Sequence, residues 1–185
     1  MRNLSRTLTP ERFDAKVAIH ADGSYAYSYE GVLIFVPALL RAAQVAACAR
    51  CEAQLATLAA QLLREGFRKA EYLGGGRYSV IFEGARAKGE SLFFLSRETP
   101  VFSVTPQIDG AIAIEAFHSD TAGQRKFLES GAEISGTLSV TVNKGVEVLR
   151  HNAQHEPSVH GVFGEYNWRI KSSNADPRII VHPAQ

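Results

Sequence analysis

Phe13, Ala15, Val17 and Ile19 alternate with Asp14, Lys16, Ala18 and His20, and six residues later Tyr25, Tyr27 and Tyr29 alternate with Ala26 and Ser28. An apolar period of two is the mark of a half-buried strand, and the Ala21-Asp22-Gly23 step between the runs is a hairpin turn signal. The loop length decides which side chains share a face. A two-residue loop of Asp22-Gly23 pairs His20 with Tyr25 and puts the tyrosines with Asp14 and Lys16. A three-residue loop with Gly23 left-handed pairs His20 with Ser24. The tyrosines then join Phe13, Val17 and Ile19, while Lys16, His20 and Ser28 take the opposite face. A one-residue slip moves every side chain across the sheet, so the burial pattern selects the three-residue loop.

The same reasoning extends along the chain. Arg68 to Leu73 and Arg77 to Glu83 flank Gly74-Gly75-Gly76, and a three-residue loop opposes Tyr72 to Tyr78 and Ala70 to Val80. Val101 to Thr105 and Ala111 to Phe117 flank a turn at Asp109-Gly110. Leu138, Val140 and Val142 mark a strand that turns at Asn143-Lys144-Gly145 into Val146 to Arg150. Tyr166, Trp168 and Ile170 alternate with Glu165, Asn167, Arg169 and Lys171, which makes Trp168 a structural anchor on an apolar strand face. Arg178 to His182, between Pro177 and Pro183, reads as a last edge strand. Helical composition runs from Leu39 to Glu65, with Pro37 suited to a first turn, a break near Cys48 to Glu52, and Gly66 as the stop. Thr121 and Gln124 at capping-box spacing open a second helix over 121–130 that ends at Gly131.

These elements predict an α+β fold, a largely antiparallel twisted sheet of hairpins packed against two or three helices. Residues 1–12 read as a polar N-terminal extension and 13–183 as a single α+β domain. At 185 residues such a domain folds on its own core and needs no disulfide or metal staple. Twenty basic against nineteen acidic residues leave a net charge of +1, without the basic stripe that nucleic acid requires. Met1 to Arg12 has no apolar run of the secretory-signal kind. Gly31 to Ala49, the stretch closest to a membrane span, carries Pro37 and Arg41 and reads as a strand running into a helix.

No catalytic motif is evident, and no enzyme activity, cofactor or metal is expected. Cys48 and Cys51 have redox or half-zinc spacing. They also continue an apolar helical stripe with Leu55, Leu58 and Leu62, which predicts reduced, buried, metal-free thiols; redox or metal chemistry is the alternative. His151, His155 and His160 fall around Asn152 and Glu156-Pro157, which point to a solvated loop rather than a zinc helix. Gly74-Gly75-Gly76 lacks the lysine and hydroxyl residue of a P-loop and is a hairpin turn. Tyr25, Tyr27 and Tyr29 suit core packing or the wall of a cavity for an amphipathic ligand. The alanine-rich stretch at 38, 42, 43, 46 and 47 would leave room against that wall, with the phenols meeting the ligand's polar end.

Ala18-Ile19-His20-Ala21-Asp22-Gly23-Ser24, Leu138-Ser139-Val140-Thr141-Val142, His151-Asn152-Ala153 and Tyr166-Asn167-Trp168 resemble the LppM-like family of envelope-associated bacterial lipoproteins. The family pattern includes a lipoprotein signal ahead of the domain and often a membrane segment behind it, which this sequence does not carry. The Cys48–Cys51 region has no counterpart in it. The resemblance implies a cell-envelope or periplasmic location and a binding role toward lipid-like or hydrophobic molecules, or a partner protein, without catalysis. Membrane association would then come through a segment absent from this chain. The competing expectation is a cytoplasmic protein using Cys48 and Cys51 for redox or metal chemistry.

Overall fold

The computed structural model describes residues 8–35, 37–38, 49–97, 101–116, 133–158, 163–171 and 176–183. In chain order the elements are β1 (Leu8–Ile19), β2 (Tyr25–Phe35), α1 (Ala49–Arg64), β3 (Lys69–Gly74), β4 (Arg77–Arg86), β5 (Leu92–Phe93), β6 (Phe102–Pro106), β7 (Ile112–Ala116), β8 (Ser135–Val142), β9 (Val146–His151), β10 (Gly164–Lys171) and β11 (Arg178–Pro183). They build a six-stranded sheet, β10-β8-β1-β2-β4-β3, and a five-stranded sheet, β5-β6-β7-β11-β9. Every pairing is antiparallel except β1 with β8. The strand content and hairpins agree with the expected sheet. The expected two or three helices do not: α1 is the one full helix among the described residues, and 121–130 lies outside them.

The first hairpin has the three-residue loop. Ile19 pairs with Tyr25, the His20 N–H donates to the Ser24 carbonyl at 3.0 Å, and Gly23 has φ 83°. Tyr25, Tyr27 and Tyr29 are buried on the face of Phe13, Val17 and Ile19, while exposed Lys16 opposes Ser28. Residues 8–12, expected in a polar extension, belong instead to β1. The cause is a bulge at Glu11, where Pro10 opposes Leu33 and Arg12 opposes Val32. It switches the buried parity from even (Leu8, Pro10) to odd (Phe13, Ala15), so the alternation that marks the strand is broken at its start. The bulged Glu11 carboxylate receives both Nε and Nη2 of Arg77, at 3.1–3.2 Å.

In the second hairpin Tyr72 opposes Tyr78 and Ala70 opposes Val80, as the pattern predicts. Leu73 is an extra residue, and Gly74 pairs with Arg77. The Asn143–Gly145 turn does not join paired strands, since it carries the chain from β8 in one sheet to β9 in the other. The strand expected at an edge, β11, lies inside its sheet between β7 and β9. Its prolines allow this: Pro177 precedes it and Pro183 closes it, so the missing N–H groups fall outside its middle.

The apolar faces of both sheets join α1 in one hydrophobic cluster. Helix α1 lies on β3 and β4 through Leu58, Ala59 and fully buried Leu62, and the Tyr78 hydroxyl donates to the Leu55 carbonyl at 2.8 Å. The helix stops where Gly66, at φ 100°, lets the Phe67 N–H return to the Leu62 carbonyl at 3.2 Å. Cys51 departs from expectation, being exposed and disulfide-bonded. The chain's other cysteine, Cys48, lies outside the described residues. At that level of the helix the sheet-facing position belongs to Glu52, whose carboxylate accepts from the Tyr72 hydroxyl.

Candidate functional site: an aromatic cleft at the end of the helix

An open cleft of about 360 Å³ lies where the end of α1, strand β4 and the short edge strand β5 meet. Its lining residues are Arg64, Glu65, Phe67, Phe82, Phe93, Phe94 and Leu95. Each arrives for a local reason. The left-handed Gly66 turns the chain so that Phe67 packs on Phe82, with centroids 5.3 Å apart. Phe82 sits on the buried face of β4 because it pairs with Tyr29. Phe94 is clamped to β6 by its N–H to the Phe102 carbonyl at 3.0 Å and by Val101 N–H to its own carbonyl at 3.1 Å. Phe94 then meets Phe82 at 5.0 Å and Phe67 at 6.0 Å.

Two further features set the cleft apart. Leu95 has φ 74°, and it is the one non-glycine residue with positive φ among those described. A leucine held there costs about 1–2 kcal/mol, a strain that the surrounding structure must hold in place. At the rim the Arg97 guanidinium lies 5.3 Å from the Phe93 ring centroid, and the Glu65 carboxylate accepts from Gln61 at 3.3 Å. The phenylalanine rings therefore share the cleft with a charged edge of Arg64 and Glu65, and Arg97 lies over Phe93 beside it.

The structure brings Tyr25, Tyr27 and Tyr29 together on one face but places none of them among the lining residues. They stand behind the cleft: Tyr27 stacks on Phe82 at 5.4 Å and Tyr29 meets Phe94 at 4.4 Å. Gly84, opposite Tyr27, leaves the space its ring needs, since a Cβ there would lie 2.6 Å from the Tyr27 hydroxyl. The phenols do not form a rim. Tyr25 donates to the Glu90 carbonyl at 2.9 Å, and burial pushes its pKa up to about 12, partly offset by Arg86. Burial also raises the pKa of Tyr29, whose hydroxyl is fully enclosed and has no hydrogen-bond partner. The alanines at 42, 43, 46 and 47 lie outside the described residues.

Sequence reasoning missed Phe67, Phe82, Phe93, Phe94 and Leu95. The available signals were the apolar run Leu92-Phe93-Phe94-Leu95 and the register that sets Phe82 against Tyr29. Of the histidines, His151 ends β9, with Nε2 2.9 Å from the Glu156 carboxylate and Nδ1 accepting from the Ala153 N–H at 3.2 Å. His155 pairs with Asn167 of β10, so the 152–156 segment lies along that strand's outer edge. His160 lies outside the described residues. Among the described residues no three potential metal ligands cluster.

No family model matches this chain, and no curated protein matches it. Among solved structures it is similar to the folded domain of LppM from Mycobacterium tuberculosis, determined by NMR. That match has a TM-score of 0.42 and 8% sequence identity, and covers 97% of this chain and 91% of the other. LppM is the family that the sequence resembles.

Proposed function

We propose that this chain is a non-enzymatic binding module of the cell envelope, which takes the apolar part of a lipid-like molecule into the aromatic cleft. The observation that carries this reading is a cleft of about 360 Å³ walled by Phe67, Phe82, Phe93 and Phe94, with Arg64 and Glu65 in its lining and Arg97 over Phe93. Concave, aromatic-lined sites with few polar groups are the usual design for such ligands, and each methylene buried contributes roughly 0.8 kcal/mol. The disulfide at Cys51 supports an oxidising compartment, as stable disulfides persist there and are rare in cytosol. No helix among the described residues is long and apolar enough to cross a membrane. Native mass spectrometry on gently purified protein should show bound lipid. A solvatochromic apolar probe should bind and be displaced by added lipid. Phe93→Asp should abolish probe binding while melting close to wild type. Wild-type protein that carries no lipid and binds no probe would overturn the reading.

One observation favours a second reading, redox chemistry: an exposed, disulfide-bonded Cys51 at Cys-x-x-Cys spacing. Equilibration with glutathione buffers separates the two. A bond that is reduced only below about −300 mV is structural, whereas one that opens near the potential of known oxidoreductases supports the redox role.

A further inference from the structure

Two phenols, Tyr29 and Tyr166, are buried with hydroxyls that have no hydrogen-bond partner. A buried hydroxyl left unpaired is disfavoured, and in a native fold each such group calls for an explanation. The two are far apart in the sheet. Tyr166 is on the edge strand β10, four places from β4, with the His151 ring edge-on at 4.8 Å. Tyr29 is beside the cleft. It opposes Phe82 across β2 and β4, and its ring meets Phe94 at 4.4 Å, so two lining residues are its immediate neighbours.

Resting on the cleft reading above, we infer that Tyr29 determines ligand specificity: its hydroxyl pairs with an oxygen at the leading end of the bound molecule. The ligand class is then an apolar ring or chain carrying a hydroxyl or carbonyl at the end that enters first, rather than a plain hydrocarbon. A phenol can donate to a carbonyl and can accept from a hydroxyl, so either oxygen suits it. The Phe82–Phe94 pair, 5.0 Å between centroids, must part for that end to arrive. Leu95, with its left-handed backbone at φ 74°, follows Phe94 directly. Closed, the cleft has an unpaired hydroxyl behind it; occupied, the ligand's oxygen pairs it.

The test compares 2-naphthol with naphthalene, measured by ligand-observed NMR titration on wild type, Tyr29→Phe and Tyr166→Phe. Wild type should prefer 2-naphthol by about tenfold, the effect of one hydrogen bond to an otherwise unpaired group. Tyr29→Phe should reduce the ratio to about one, and Tyr166→Phe should leave it unchanged. Without ligand both variants should melt no lower than wild type, because each loses only an unpaired hydroxyl. A wild-type ratio near one overturns the inference, as does a ratio that survives Tyr29→Phe, and both leave the cleft reading standing. If neither compound binds wild type, the cleft reading itself falls.

Discussion

Two turns at one end of the molecule are built alike and do different things. Ala21–Gly23 and Asn143–Gly145 each end in a left-handed glycine, φ 83° and 90°. Each is closed by a short backbone bond, Gly23 N–H to His20 carbonyl at 3.0 Å and Val146 N–H to Asn143 carbonyl at 3.2 Å. They even touch, through Asn143 N–H to the Ile19 carbonyl at 3.1 Å and the Asn143 amide beside the His20 ring at 3.0 Å. Yet the first returns its strand to a neighbour and the second sends it to the other sheet. The difference lies beyond the turns. After the first, β1 still has an open edge for β2. At the second, the two edges of β8 belong in the assembled sheet to β1 and β10, and β9 pairs with β11 in the other sheet. Turn chemistry sets a local bend, and free edges set the destination.

If the crossing is fixed by long-range packing, the largest stability losses should fall where the two sheets are tied together. Trp168 is 3% exposed on β10, and its Nε1 donates at 2.9 Å to Asn152, just past the end of β9. That same Asn152 oxygen accepts from the Arg178 N–H of β11 at 2.8 Å, so one side chain links both sheets. Trp168→Ala should cost about 3–5 kcal/mol in chemical denaturation, while Trp168→Phe, which keeps most of the ring, should lose far less. The folded variant should bind an apolar probe as wild type does, since Trp168 is remote from the cleft. A loss for Trp168→Ala no larger than that of a turn-glycine variant would break the comparison.

The next effect is smaller and tests whether the turns are locally equivalent. Gly23→Ala and Gly145→Ala should each cost about 1–2 kcal/mol, the cost of a left-handed L-residue. Space should add little at either place. A Cβ on residue 23 meets the flexible Lys88 side chain at 3.0 Å, and one on residue 145 meets the Ala21 Cβ at 3.3 Å. Similar melting-temperature shifts would support equivalence. A far larger loss at 145 would mean that this turn itself directs the crossing.

The same contrast explains what could be read from the sequence. Alternation and turn residues gave the first hairpin its loop and faces, because both signals are local and agree. They also opposed Tyr72 to Tyr78 and placed Trp168 on a buried face. Wherever the deciding contact is distant, local signals fall short. The bulge at Glu11 reverses the parity of β1, and β11 gains two partners from remote parts of the chain. Strand β5 is two residues long and carries too little period to detect. Cys51 fits the stripe by spacing, but Glu52 takes the inward position because Tyr72 offers it a hydroxyl. The cleft is harder still. Phe67, Phe82 and Phe94 come from a helix cap, a strand and an edge loop, and only the assembled sheet brings them together.

The smallest expected effect lies wholly within the first turn. The Asp22 carboxylate accepts from the Ser24 N–H at 2.9 Å and the Ser24 hydroxyl at 2.7 Å, with no equivalent charge in the second turn. Those two bonds, the hydroxyl's first, hold the Asp22 pKa below its ordinary value of 3.8. A carboxylate with a lowered folded-state pKa binds fewer protons when folded than when unfolded. Its stabilising contribution is therefore complete above the unfolded value and fades as pH falls from there through the folded one. The group is fully exposed, so the contribution is slight and screened by salt. Asp22→Asn should flatten that part of the acid limb of the stability–pH curve and leave neutral-pH stability nearly unchanged. Amide exchange resolves this better than global unfolding: at acid pH, protection at Gly23 and Ser24 should fall in wild type while that at Val146 holds. Equal loss of protection in both turns would show that Asp22 is not what distinguishes them.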